Sequence, residues 1–220
     1  MCGRPPSIRS DAFSDFFTAD AARAPHPGRR AASAWLRVRQ ARVRLVGMAR
    51  HDVKHLVIMR HAEADHPPGA LDHDRPLMPR GAQDAAAAGE WLAQQYTPDM
   101  IMVSSALRTR QTVTWVCSEL GEKAPTPQLV DELYNAHDTA IIAAINHAPE
   151  TVRTLLVVAH MPGVLDTILR LASRESDVDA MMDVSGGFPT SGITVLEVPG
   201  DWALLDSGNA RLVHFEVPRG

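Results

Sequence analysis

The chain has almost no sulfur chemistry available to it. Its 220 residues include two cysteines, Cys2 and Cys117, and neither belongs to a CxxC pair. That excludes a disulfide scaffold and points to a reducing, cytoplasmic setting. No apolar run approaches the roughly 18 residues of a membrane span. No G-x-y period, heptad or internal repeat persists, so collagen-like, coiled-coil and solenoid readings fall away. There is no P-loop or GxGxxG after the first strong strand, no HExxH, and no G-x-S-x-G around Ser104 and Ser105. The usual nucleotide cradle, zinc protease helix and serine hydrolase elbow are therefore missing.

What remains is ordinary globular composition, with 45% hydrophobic and 22% charged residues, enough for one sizeable domain. The net charge of −4 is uneven. Residues 1 to 50 hold ten arginines against Asp11, Asp15 and Asp20, a net of +7, which leaves −11 for the rest. The Ala, Arg, Pro and Ser of that stretch read as a disordered extension without a signal-peptide core. Met48, just ahead of the first strong strand, is an alternative native start. Nucleic-acid binding by the basic arm is the lesser reading. The segment from Trp35 to Val46 alternates Arg with Val or Leu and is the arm's one candidate for a strand. The domain proper is expected over 51–220.

From His51 on, apolar runs alternate with helical periods. Strands are expected at Lys54 to Arg60, Met100 to Ser104, 126–133, Arg153 to His160, 192–198 and 211–217. Helices are expected at Arg80 to Tyr96, Leu107 to Leu120, Thr139 to His147, and after Pro162. Trp91, Trp115 and Leu120 are read as helix–sheet core. The expected architecture is a three-layer α/β/α sandwich on a mostly parallel sheet.

In such sheets ligands sit beyond the carboxyl ends of the strands. Those ends carry Arg60 and His61, then Ser104 and Ser105 with Arg108 one turn on, then Asp131 and Glu132, then His160. Two guanidinium forks match phosphate oxygens. A neutral imidazole can attack phosphorus, and a second, cationic beside a dianion, can donate to an oxygen gaining charge. A carboxylic acid can protonate the leaving atom. His66, His73, Asp72 and Asp74 can be drawn as a metal cluster, but an acidic loop bearing histidines reads first as solvated, and no metal or other cofactor is expected.

The same residues resemble a known family. Arg60-His61-Ala62-Glu63 is similar to the RHG or RHA signature of the histidine phosphatase superfamily, which includes the phosphoglycerate mutases. Arg75-Pro76-Leu77 with Gly81, the segment from Ser104 through Arg108 to Gln111-Thr112, Val157 to Pro162, and Pro189 to Ile193 match its further blocks in order. The last resembles the small SixA-type phosphohistidine phosphatases.

The resemblance implies a phosphoglycerate mutase-like fold. In it His61 accepts the phosphoryl group, while Arg60, Arg108 and His160 complete the phosphate pocket and Glu132 is the proton donor. Arg110 competes with Arg108, and the R-x-x-Q-T spacing favours Arg108. Ala62, Ala159 and Met161 depart from the commoner Gly, Gly and Asn. Ala64 to Pro68 lacks the Asn and Ser of mutase-type members. The implied function is a metal-independent phosphatase acting on a phosphohistidine protein or a small phosphomonoester. The alternatives are a mutase-like phosphotransferase and a catalytically silent phosphate-sensing module.

Overall fold

Strand pairing sets every other feature of the site. The structure, a computed structural model, describes residues 53 to 220. The basic stretch, the Met48 start and the alternating Trp35 to Val46 segment lie outside those residues. The described strands are β1 (Lys54–Arg60), β2 (Met100–Ser104), β3 (Gln128–Val130), β4 (Thr154–Ala159), β5 (Ile193–Val198) and β6 (Arg211–Glu216). They form one sheet in the order β3-β2-β4-β1-β5-β6. The pairings from β3 to β1 are parallel, while β5 runs antiparallel to both β1 and β6. The expected mostly parallel sheet is what forms.

Alternate side chains of each strand enter opposite layers, because the side-chain period of a strand is two. Leu56 and Ile58 pack with Leu155, Val157 and Met102 on one face. That face is covered by α3 (Asp138–Asn146), α4 (Gly163–Leu171) and α5 (Val178–Gly186). Val57 and Met59 pack with Ile101, Val103, Leu156 and Val158 on the other. There they meet Ala88 and Leu92 of α1 (Pro79–Gln95) and Val113, Val116 and Leu120 of α2 (Leu107–Leu120). Both faces of β1, β2 and β4 are buried, hence their unbroken apolar runs.

Two expectations need correction, and one element is new. The strand expected over 126–133 stops at Val130, because Asp131–Leu133 turns into a 3-10 helix and buries Leu133. The helix α5 has no counterpart in the sequence reading. It is nine residues long, capped by Asp177, whose carboxylate accepts from Ala180 N, and it buries only Ala180 and Val184. Trp115 is 44% exposed rather than core. Val113 and Val116 fill the sheet-facing stripe of α2, and the indole falls at its margin.

Two long-range ties hold the site's frame. Gly81, near the start of α1, lies against the loop after β1; a Cβ there would stand 2.2 Å from Glu63 O. Only glycine lets that backbone come so close. Asp84, 2% exposed, accepts from Arg219 Nη1 at 2.7 Å, and the same nitrogen donates to Thr190 O at 3.0 Å. This pins the segment leading into β5 to α1.

Candidate active site

Three adjacent parallel strands deliver the polar residues to one edge. Arg60 of β1 pairs with Ala159 of β4. One residue further, His61 N donates to Ala159 O at 3.2 Å, and the His61 and His160 rings stand 5.2 Å apart. The next strand over, β2, ends in Ser104, whose Oγ lies 2.7 Å from His160 Nε2. Arg108, in the first turn of α2, is 3% exposed. Arg60, His61, Arg108 and His160 therefore come together, as the sequence reading expects.

The protonation of His61 follows from its neighbour. Nδ1 lies 2.8 Å from Ala62 O. A carbonyl can only accept, so Nδ1 carries the hydrogen and Nε2 keeps its lone pair. Burial, then the charges of Arg108, Arg60 and Arg75, pull the His61 pKa down to about 4, against the opposing pull of the Ala62 carbonyl. Burial, then Arg108 and His61, bring His160 to about 3. Both rings are neutral at pH 7 in the free site. The cationic His160 of the sequence reading is an expectation for the ring beside a bound dianion, whose charge raises a histidine pKa.

The arginines are held but not saturated. Arg60 Nη1 donates to Phe188 O at 2.8 Å. Arg108 Nη1 donates to Asp72 O at 2.6 Å, and Nη2 to Asp72 Oδ2 at 3.1 Å. Among the described residues, Arg60 Nε, Arg108 Nε and His160 Nδ1 are buried without a protein partner. Buried polar atoms without partners are rare in native proteins, and the two guanidinium N–H groups are donors that call for an acceptor from outside. A tetrahedral oxyanion supplies several.

Among the described residues Asp72 brings a carboxylate to this site, where sequence reasoning read it first as part of a solvated loop and otherwise as part of a metal cluster. Beside Arg108 it accepts from Arg75 Nη1 at 3.1 Å and from the Tyr134 hydroxyl at 2.7 Å. The Tyr134 hydrogen bond, then Arg75 and Arg108, hold its carboxyl far below the usual carboxylate range. Tyr134 also stands edge-on to His160 at 5.6 Å and to His73 at 4.9 Å. His73 Nε2 lies 3.2 Å from Ser105 Oγ. The signal that could have found Asp72 is its spacing, three residues ahead of Arg75.

Two other candidates sit elsewhere. Glu132 is exposed and lines a cavity of about 490 Å³ with Met100, Met102, Val130, Ala140 and His147, apart from the His61 cluster. Arg110 is exposed and borders a different groove with Val113, Cys117 and Leu129. The remaining letters of the R-x-x-Q-T block serve the frame. Gln111 Oε1 accepts from Leu77 N at 2.7 Å, and Thr112 Oγ1 accepts from Ala62 N at 3.0 Å.

The family model of the histidine phosphatase superfamily (branch 1) matches residues 56–139. The uncharacterised protein Rv1276c of Mycobacterium tuberculosis is 43% identical over 163 residues, covering 73% of this chain and all of that protein. The structure of SixA from Nakamurella multipartitia, a candidate phosphohistidine phosphatase, is 33% identical, with a TM-score of 0.67. The match covers 76% of this chain and 96% of that one. This chain belongs to the histidine phosphatase superfamily. A protein histidine phosphatase SixA complexed with tungstate is also similar, at 26% identity and a TM-score of 0.60, over 74% of this chain and 97% of that one.

Neutral burial of both histidines ties the stability of this SixA-type protein to pH. An unfolded histidine takes up a proton near pH 6.5, whereas folded His61 and His160 do so near 4 and 3. Between those values the unfolded chain binds more protons, so stability is full above about pH 6.5 and declines as pH falls. The slope reaches about 1.4 kcal/mol per pH unit for each histidine. Urea unfolding at pH 7 and at pH 4.5 checks this. The midpoint drops on acidification, and it drops less in His61→Gln, which lacks one of the two groups.

Proposed function

We propose that this phosphatase moves a phosphoryl group from its substrate to His61 Nε2 and then to water, and that its substrate is a protein phosphohistidine. One observation carries the reading. His61 is fixed by Ala62 O with Nε2 unprotonated, next to two arginines that keep unpartnered buried donors and a histidine that keeps an unpartnered ring nitrogen. Nε2 attacks phosphorus, the bond to the leaving atom breaks, and the equatorial oxygens are held by Arg60, Arg108 and His160. Water then attacks phosphorylated His61, phosphate departs, and the imidazole is restored.

The carboxylates favour a nitrogen leaving group. Asp72 is held ionised by Tyr134, Arg75 and Arg108, and Glu132 lies outside the cluster. Among the described residues, neither of these carboxyl groups is therefore poised as an acid to protonate an alkoxide. An alkyl phosphomonoester needs that proton. Phosphohistidine does not, because its ring leaves as neutral imidazole once solvent has protonated the distal nitrogen.

A substrate panel tests the reading. A phosphohistidine protein should be dephosphorylated faster than p-nitrophenyl phosphate, and both far faster than an alkyl phosphate. EDTA should leave all rates unchanged, because guanidinium groups rather than a divalent ion meet the phosphoryl charge. Transfer to an added acceptor alcohol in place of water would indicate a mutase-like phosphotransferase. Phosphate binding with no turnover would indicate a sensing module. Loss on chelation, restored by a divalent ion, would overturn the metal-independent mechanism.

A further inference from the structure

Ser104 and Ser105 form no serine-hydrolase elbow, yet both hydroxyls reach histidines. Ser105 meets His73, and Ser104 meets His160. We propose that Ser104 is a positioning residue that sets the tautomer of His160: its hydroxyl donates to Nε2, which leaves the ring's one N–H on Nδ1 for the phosphoryl group. This rests on the phosphoryl-transfer reading above.

The geometry leaves two arrangements. In the first, His160 Nε2–H donates to Ser104 Oγ. Nδ1 then holds a lone pair, and the serine hydrogen must find another acceptor. Ser104 is fully buried, and among the described residues its Oγ has no hydrogen-bond partner other than His160. Its own carbonyl is already taken by Thr109 Oγ1 at 2.8 Å. That arrangement leaves a buried hydroxyl hydrogen unsatisfied and sets a lone pair against an incoming dianion. Both are costly at buried groups.

In the second arrangement the serine hydrogen is used on Nε2, and Nδ1–H becomes a donor. Nδ1 is the His160 nitrogen that is buried without a protein partner. A phosphoryl oxygen satisfies it. Ala62 and Ser104 thus impose complementary roles on two neighbouring rings. The Ala62 carbonyl keeps a lone pair on His61 Nε2 for attack, and the Ser104 hydroxyl keeps a hydrogen on His160 Nδ1 for donation.

Long-range ¹H–¹⁵N correlation spectra of the full chain at pH 7 read the tautomer directly, with His160 assigned by comparison with His160→Gln. The expected pattern is the Nδ1–H tautomer, with the Nδ1 proton moving downfield on addition of inorganic phosphate. In Ser104→Ala the ring should shift towards Nε2–H. Its kcat should fall about 10-fold to 100-fold, less than the roughly 10²-fold to 10³-fold of a transition-state donor removed outright, with KM changing less than about threefold. Ser104→Thr, which keeps the hydroxyl, should restore the tautomer and most of kcat.

An Nε2–H tautomer in the wild-type protein would overturn the proposal, and this result does not require a Ser104 variant to fold. So would a Ser104→Ala protein that keeps both tautomer and kcat. If the wild-type tautomer is Nδ1–H but no substrate is turned over, the assignment of Ser104 stands and the phosphoryl-transfer reading fails.

Discussion

His61→Ala should lose at least about 10⁴-fold in turnover, because in the proposed reaction His61 Nε2 is the atom that bonds phosphorus. The neighbouring imidazole cannot take over. His160 is 3% exposed and its Nε2 faces Ser104, so neither its reach nor its protonation suits attack. The fold should survive. His61 lies one residue beyond the end of β1, its backbone bonds to Ala159 and Ser191 use main-chain atoms, and alanine preserves them. The cost in stability at pH 7 should stay within about 2 kcal/mol, read from urea unfolding. A variant with wild-type turnover would remove His61 from the reaction. An unfolded variant would be replaced by His61→Gln, which keeps the side-chain volume, with the same loss expected.

Arg108→Ala should cost about 10²-fold to 10³-fold in kcat/KM, and Arg110→Ala less than about twofold. The two differ by two positions on α2, which turns the side chains to different sides of the helix. Arg108 is buried at the site, where its guanidinium bonds Asp72 through two nitrogens. In the proposed reaction its incoming partner is the phosphoryl group, for which a guanidinium is matched and a lysine is not. Arg108→Lys should therefore recover little. Arg110 is exposed on a separate groove with Cys117 and Leu129. Steady-state kinetics on p-nitrophenyl phosphate for the three variants decide the matter, and the reverse ranking would place the phosphate elsewhere.

The sequence carried most of this site because strand ends are local features. A fully buried parallel strand is an unbroken apolar run, and its last residue is the first polar one. Arg60 and His61, Ser104, and His160 could all be located in that way. The parallel register that brings His61 beside His160 followed from the alternation of strands and helices. Asp72 was different. Its importance depends on Arg108, 36 residues away, and on Tyr134, 62 residues away, and no periodicity marks a 3-10 turn of three residues. Glu132 looked equivalent in the sequence, as an acid just after a strand. The early end of β3 and the turn that buries Leu133 set it over a different cavity. The helix α5 escaped notice because its nine residues bury only two side chains, too few to produce a period.

The most direct test of the central claim is to catch the phosphoryl group on the enzyme. Full-chain protein is mixed with excess p-nitrophenyl phosphate, quenched in alkali within milliseconds, digested, and analysed by mass spectrometry. Phosphohistidine survives alkali and is lost in acid, so the quench preserves the intermediate and an acid-treated control erases it. The account predicts a phosphoryl group on His61 alone, present in wild type and in Arg110→Ala and absent from His61→Ala. Phosphorylation at another residue, or full turnover with His61 never modified, would contradict it.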